Sequence, residues 1–194
     1  MVIPGVRSAL FQRGEARGLA FCRANKLTMP EIHRSPKSEW RFGGTCAYYR
    51  PTYIAICIEA CATPGYGGRQ WSWPGYVVDR TPFGVLQHEL GHHADIVLSG
   101  LKTGYQGEYS RELRAQTRED PITTYCPNDA EWFAEIFRLF VTNADLLRLI
   151  RPRTYDKLRD RFEPVSAKRW RTELGDAPER TILAAERKIE AVGG

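Results

Sequence analysis

The segment that most constrains the fold is a helix-forming stretch from Asn128 to Thr142, which reads NDAEWFAEIFRLFVT. Large apolar side chains cover most of the circumference of this helix: Trp132, Phe133, Ile136, Phe137, Leu139, Phe140 and Val141. A helix that is apolar nearly all round is buried, so the rest of the chain must pack around it. Three of its charged residues, Glu131, Glu135 and Arg138, fall at i, i+4 and i+7 on one stripe. Buried carboxylates need a metal ion or a charge partner.

The charged stripe also has an explanation within the helix itself. Asn128 and Glu131 have the spacing of a capping box, in which each side chain binds a backbone N–H group of the first turn. Glu135 and Arg138 have the spacing of a salt bridge on a helix surface. From this segment alone, the metal-ligand and helix-cap explanations both stay open.

A second predicted helix carries an HExxH motif. Thr81 and Pro82 supply an N-cap and a first-turn proline to a helix expected over Pro82 to Leu98. Within it, His88-Glu89-Leu90-Gly91-His92 places two histidines one turn apart on one face, so both imidazoles can reach the same metal ion. Glu89 then points at the open coordination position, which is the arrangement of zinc hydrolases. We therefore expect one zinc ion per chain.

A catalytic zinc ion usually has three protein ligands and a water, so the motif lacks one ligand. The candidates are His93, Asp95, His33, a cysteine, or a carboxylate later in the chain. Asp95 lies a turn past His92 and is better placed to hold a ligand imidazole by a hydrogen bond. His93 is rotated away by about 100° and is expected at the surface or in packing, and His33 has no local partner. Glu131 is the strongest candidate.

The two helices together resemble a known family. HELGHHAD at 88–95 is followed by Glu131-Trp-Phe-Ala-Glu135-Ile-Phe-Arg-Leu-Phe, and then by Leu146-Leu147, Pro152 and Tyr155. This pattern is similar to the gluzincin metallopeptidases of the anthrax lethal factor-like clan, whose catalytic domains also occur in toxins and phage-borne polyproteins. The resemblance covers about Gly44 to Phe162 and is specific at the two helices.

The resemblance implies a zincin-like fold and a zinc-dependent endopeptidase that acts on a peptide or protein substrate. It implies His88, His92 and Glu131 as zinc ligands, and Glu135 as a supporting residue behind them. Glu89 would be the general base, taking a proton from the zinc-activated water and passing it to the leaving amine.

Two further parts of a substrate site are implied by the resemblance. One is a substrate-binding edge strand, for which Tyr53 to Ile58 is the natural position; its expected binding residues are Tyr53, Ile54, Ala55 and Ile56. The other is a tyrosine before the ligand glutamate that assists the transition state, expected at Tyr125, with Tyr105 or Tyr109 as substitutes. The loop Tyr66 to Tyr76 either walls the substrate pockets or packs over the sheet.

Short extended segments are predicted at Glu31 to His33, Thr45 to Tyr49 and Tyr53 to Ile58. The last two read as a hairpin that pairs Arg50 with Tyr53 and Cys46 with Cys57. A disulfide between these cysteines is conceivable. Because five cysteines are an odd number and form no CxxC pair, buried free thiols in a reducing compartment are favoured.

The remaining elements are helical, so we expect one α+β domain over 1–194. It divides into an N-terminal helix and lead-in (1–43), a zincin core (44–162) and C-terminal helices (163–194). The helices outside the two described above are predicted at 7–26, 111–117, 145–150, 155–162, 167–174 and 178–191. The sequence shows no membrane span or signal peptide, which favours a cytoplasmic or phage-associated protein.

The net charge of +5 permits contact with acidic partners, but the basic residues are interleaved with acids. This pattern is typical of solvated helix faces, so a nucleic-acid partner is not expected. A regulatory metallopeptidase of a mobile element, or a DNA-associated protease of the SprT type, is the alternative among enzymes. A catalytically idle zinc-binding module is the alternative outside them, and the intact Glu89 argues against it because a structural site needs no general base.

Overall fold

The computed structural model describes residues 5–62, 79–101, 107–123 and 125–164. The described chain is α+β, with five α-helices and a small mixed sheet of three strands. The helices are α1 (Val6–Ala24), α2 (Pro82–Leu98), α3 (Glu108–Thr117), α4 (Asp129–Ile150) and α5 (Pro152–Arg159). The strands are β1 (Glu31–Arg34), β2 (Ala47–Arg50) and β3 (Tyr53–Ile56), and a 3₁₀ turn follows at Ile58–Ala60. None of the helices in these ranges is long and apolar enough to cross a membrane.

The helices expected at 167–174 and 178–191, the loop Tyr66 to Tyr76, and Tyr105 lie outside the described residues. The helices expected at 7–26, 82–98 and 128–142 are confirmed as α1, α2 and the first part of α4. Thr81 caps α2 by accepting a hydrogen bond from the N–H of Gly84 at 3.3 Å, and Pro82 occupies its first turn as predicted.

The predicted hairpin is confirmed in its register. Arg50 lies opposite Tyr53, and the N–H of Cys57 donates to the carbonyl of Cys46 at 2.8 Å. All five cysteines are free thiols.

The strand order is β1-β3-β2, so β3 is the central strand. The prediction that Tyr53 to Ile58 forms an edge strand is therefore wrong. The reason is β1, which pairs with β3 in parallel on the side opposite β2. Three of the four residues of β1 are exposed, so its sequence gives little sign that it belongs to this sheet.

Helix α4 lies at the centre of the core, as its apolar circumference predicts. Its side chains Trp132, Phe133, Ile136, Phe137 and Phe140 are fully buried. Phe21 of α1 packs edge-on against Phe137 and Phe140, with ring centroids 5.2 and 6.1 Å apart. The expected break after Thr142 is also present, because Asn143 has a non-helical backbone (φ −155°, ψ 72°) and its side chain accepts from the N–H of Leu146.

The backbones of α2 and α4 come into close contact at Gly91, inside the HExxH motif. A Cβ atom at position 91 would lie only 2.7 Å from the Cα atom of Ala134, a distance that real side chains do not show. The absence of a side chain at Gly91 thus allows backbone contact between the two helices. This contact brings the charged stripe of α4 against the histidine face of α2.

Two helices begin three residues earlier than predicted because distant carboxylates cap them. The Asp95 carboxylate accepts from the N–H groups of Gly107 at 3.0 Å and Ser110 at 2.8 Å, at the start of α3. The Glu119 carboxylate likewise accepts from the N–H of Thr154 at 2.8 Å, in the first turn of α5. Carboxylates at helix N-termini stabilise the unpaired N–H groups there.

Candidate metal centre

His88, His92 and Glu131 meet between α2 and α4. Nε2 of His88 lies 2.9 Å and Nε2 of His92 lies 3.5 Å from the same Oε2 atom of Glu131. All three ligand atoms lie within 4.8 Å of one another. Ligand atoms placed 2.0–2.1 Å from a tetrahedral zinc ion are about 3.4 Å apart. The distances from the two histidines to Glu131 lie on either side of that value. This His-His-Glu group can hold a metal ion, and it joins the three residues that the sequence selected.

Asn128 and Glu131 show how the helix-cap and ligand explanations combine. The Asn128 side chain accepts from the N–H of Glu131 at 2.9 Å, so Asn128 is the N-cap of α4. The carboxylate of Glu131 turns away to the histidines. The backbone of Glu131 thus serves the cap while its side chain serves the cluster.

Glu135 lies behind His88, in the position expected of a residue that supports a ligand. Its Oε1 atom is 2.7 Å from Nδ1 of His88, and Arg138 donates to both carboxylate oxygens at 3.3 and 3.1 Å. Glu135 and Arg138 are both buried, so their ion pair is an interior one. The arrangement fixes the His88 ring between two carboxylates, with Nε2 directed at Glu131. A ligand histidine is commonly held in this way by its second ring nitrogen.

The electrostatics of the cluster follow from these contacts. Burial alone would lower the pKa of His88, but its hydrogen bonds to Glu131 and Glu135 outweigh burial and raise the pKa to about 10. Burial acts to raise the pKa values of both glutamates. The hydrogen bonds from the histidines to Glu131, and the charge of Arg138 beside Glu135, outweigh that effect and hold both pKa values well below their usual range. The carboxylates therefore keep a proton on His88, which a metal ion must displace.

Glu89 is buried beside the two histidines. Burial raises its pKa, and the negative charge of Glu131 adds to the effect, while the histidines and the backbone N–H of Tyr49 oppose it. A carboxylate works best as a general base when its pKa is raised toward the working pH. The environment of Glu89 therefore suits it to act as a general base.

Two adjoining cavities, of about 840 and 420 Å³, open onto the cluster. Their shared lining is Phe42, Thr45, Ala47, His88, Glu89 and Tyr125. The smaller cavity also reaches His92 and Glu131. A cleft thus runs past the cluster, and Glu89 lines both of its parts.

Tyr125 lies at this cleft, where the sequence expected a tyrosine. Its ring centroid is 5.8 Å from that of His88, and the residue is 39% exposed. Burial of the hydroxyl and the charges of Glu131 and Glu89 raise its pKa, so it stays a hydrogen-bond donor. Tyr109, the alternative, packs against Phe133 in the core with ring centroids 5.6 Å apart.

Asp95 does not support a ligand imidazole, so that prediction is wrong. Its carboxylate accepts hydrogen bonds from backbone N–H groups at the start of α3. Within the described residues, Nδ1 of His92 has no hydrogen-bond partner. The physical reason is that Asp95 projects past the cluster toward the first turn of α3. The residues around Asp95 carry no signal that its carboxylate will bind the start of α3.

The other two histidines lie apart from the cluster. His93 is buried in packing, with Nδ1 3.2 Å from the Tyr49 hydroxyl and Nε2 3.0 Å from the carbonyl of Thr28. His33 is exposed on the sheet and hydrogen-bonded to Glu31 at 3.1 Å. Neither contributes to the candidate site.

Sequence reasoning missed β2 as the strand that borders the site. Within the described residues, β2 lies at an edge of the sheet, and Ala47, Tyr49 and Arg50 line the smaller cavity. The bond from Cys57 to Cys46 fixes the alternation of the antiparallel ladder, so Tyr48 and Arg50 bond toward β3. Ala47 and Tyr49 therefore direct their backbone groups away from β3. Only the docking of β1 decides which hairpin strand is outermost.

Comparison with known proteins assigns the chain to no family. No protein-family model, curated protein or solved structure matches this chain. The resemblance to gluzincins consequently depends on the residues of α2 and α4, and the function is a proposal from their geometry.

Proposed function

We propose that the chain is a zinc-dependent endopeptidase with a zincin-like fold. The observation that carries this proposal is the position of Glu89, a buried carboxylate with a raised pKa next to the His-His-Glu group and open to a cleft. A purely structural metal site has no use for a proton acceptor beside an open groove.

Zinc is the proposed metal because two imidazoles and one carboxylate are its usual ligands in catalytic sites. When bound, such an ion polarises a substrate carbonyl and lowers the pKa of water. His88, His92 and Glu131 would hold it, and Glu135 would keep the His88 ring oriented through Nδ1.

Glu89 accepts the proton of the attacking water and delivers it to the amine that leaves. Glu89 lines both cavities of the cleft, so a substrate bound there would lie next to its carboxylate. Tyr125, which lines the same cleft, donates a hydrogen bond to the substrate oxygen that becomes negative in the transition state. This assignment favours Tyr125 over Tyr109, which is engaged in the core.

The substrate binds as an added strand along β2. The backbone groups of Ala47 and Tyr49 face away from β3, where the N–H of Tyr49 donates to Glu89 and the carbonyl of Ala47 accepts from the Thr45 hydroxyl at 2.8 Å. The N–H of Ala47 and the carbonyl of Tyr49 are therefore the groups that would pair with a substrate strand. Main-chain hydrogen bonds of this kind hold an extended peptide without regard to its sequence. They would place a peptide bond of the substrate in the cleft, next to the His-His-Glu group.

The proposal is tested by metal content and activity together. We expect the purified protein to bind one zinc ion per chain, measured by elemental analysis. We expect it to cleave members of a random peptide mixture, with activity lost on chelation and restored by zinc. Cleavage that survives complete removal of metal would contradict the proposal. One tightly bound zinc with no cleavage of any peptide would instead identify a zinc-binding module.

Glu135→Gln is expected to weaken zinc affinity about 10- to 100-fold, the usual effect of losing a partner behind a ligand. Glutamine keeps the size of the side chain but removes the charge that faces His88 and Arg138. Affinity is measured by competition with a coloured chelator, and thermal unfolding shows whether the fold is intact. Asp145→Asn, a half-exposed change further along α4, is the matched control. Equal affinities for the two variants would remove Glu135 from the site.

A further inference from the structure

Three aromatic residues, Trp40, Phe42 and Tyr48, form a cluster at the rim of the cleft, which we call the aromatic wall. Phe42 lies 5.4 Å from Trp40 and 4.7 Å from Tyr48 between ring centroids, and Trp40 stacks on Tyr48 at 5.6 Å. The Trp40 indole donates to the carbonyl of Thr45 at 2.9 Å. Each ring therefore has a fixed neighbour.

The aromatic wall belongs to the cleft and not to the general surface. Trp40 lines the larger cavity, Tyr48 lines the smaller one, and Phe42 lines both. Phe42 is 45% exposed, the largest exposure among the big apolar side chains of the described residues. An apolar ring held open to water inside a groove indicates a binding surface.

The register of β2 places the wall on a definite side of a bound peptide. Along β2, Ala47 and Tyr49 face the core, whereas Tyr48 is on the opposite face. If a peptide pairs with β2 as an added strand, every second side chain of the peptide lies on the same face of the sheet as Tyr48. These side chains would lie next to Tyr48 and Phe42. The intervening side chains point toward α2.

We propose that the aromatic wall selects substrates with a large apolar side chain, above all an aromatic one, next to β2 near the scissile bond. This inference rests on the proposed function, because it assigns a substrate class to the same cleft. Offset and edge-on contacts with Phe42 and Tyr48 would hold such a ring. Buried aromatic contacts of this kind commonly dominate binding.

The first experiment measures specificity. The wild-type enzyme is expected to select a large apolar residue at one position of a random peptide mixture. Phe42→Ala should lower the ratio of kcat/KM for a phenylalanine peptide over its alanine counterpart roughly tenfold or more. Val97→Ala, which removes an exposed apolar side chain near the end of α2, should leave that ratio unchanged. An unchanged ratio in Phe42→Ala would overturn the inference and leave the peptidase intact.

The second experiment needs no turnover. In the Glu89→Gln background, a fluorescein-labelled alanine-rich heptapeptide with one central phenylalanine is titrated by anisotropy, next to its all-alanine counterpart. Phe42→Ala should abolish the preference for the phenylalanine peptide, and Val97→Ala should retain it. If the wild type cleaves nothing, the proposed function fails. A preference for the phenylalanine peptide that depends on Phe42 would then still support the aromatic wall as a binding surface for large apolar side chains. Equal binding of both peptides by the Phe42-containing protein would overturn the inference.

Discussion

Glu89→Gln is expected to reduce kcat/KM by roughly a hundred- to ten-thousand-fold, the usual contribution of a general base. Glutamine has the shape of glutamate and can still form hydrogen bonds, but it cannot accept the proton of the attacking water. Because Glu89 is not one of the three clustered ligand residues, zinc content should remain at one per chain. The measurement compares peptide hydrolysis and metal content in the same preparations.

The control for that experiment is Glu112→Gln, an exposed change on α3 that removes the same charge away from the cleft. It should leave turnover at the wild-type level. Turnover by Glu89→Gln within a few fold of wild type, on any substrate, would exclude the proposed mechanism. Loss of zinc from Glu89→Gln would mean that Glu89 acts as a ligand.

Glu131→Ala is expected to lower zinc affinity by more than the 10- to 100-fold effect of an outer partner, because it removes one of three direct ligands. The two histidines would remain on α2 with no third protein donor among the clustered residues. Asn128 would still cap α4, since its bond is to the backbone of residue 131. Competition with a chelator measures the affinity, and circular dichroism follows the helix content.

Asp129→Ala is the matched control for this ligand. It removes a carboxylate from the same first turn of α4, where Asp129 pairs with Arg114 at 2.8 Å and not with the histidines. Its zinc affinity should stay close to that of the wild type. If Glu131→Ala retained full affinity while Asp95→Ala lost it, the third ligand would belong to α2.

Much of the fold could be predicted because its signals are local. Thr81 and Asn128 each cap a helix through a side chain three residues from the N–H group that it binds. The hairpin register followed from the short turn between Arg50 and Tyr53. Such contacts depend on a few neighbouring residues, which the sequence displays directly.

The errors share a different physical origin, because they depend on distant partners. The starts of α3 and α5 are set by Asp95 and Glu119, which lie 12 and 35 residues from the backbone groups they bind. The role of Asp95 was misread for the same reason. The edge of the sheet was misplaced because it depends on β1, whose exposed residues carry little apolar pattern.

The grouping of His88, His92 and Glu131 was predictable because two strong constraints meet in it. Helical spacing places His88 and His92 on one face, and the cost of burying Glu131 and Glu135 requires partners for them. The structure contains an arrangement that satisfies both constraints, because Glu131 faces the two histidines and Glu135 faces His88 and Arg138. The cleft could not be derived in this way, since its walls come from a loop and a strand with no common sequence signal.

The backbone contact at Gly91 has a consequence for how a metal would be gained and lost. Small zinc domains are unfolded without their ion, so metal binding and folding are one event. Here the distance between α2 and α4 is set by Gly91 against Ala134 and by the apolar packing of α4. Under the proposed function, the core and not the ion would therefore hold His88, His92 and Glu131 together. Removal and return of zinc would then switch the peptidase activity off and on without unfolding the protein.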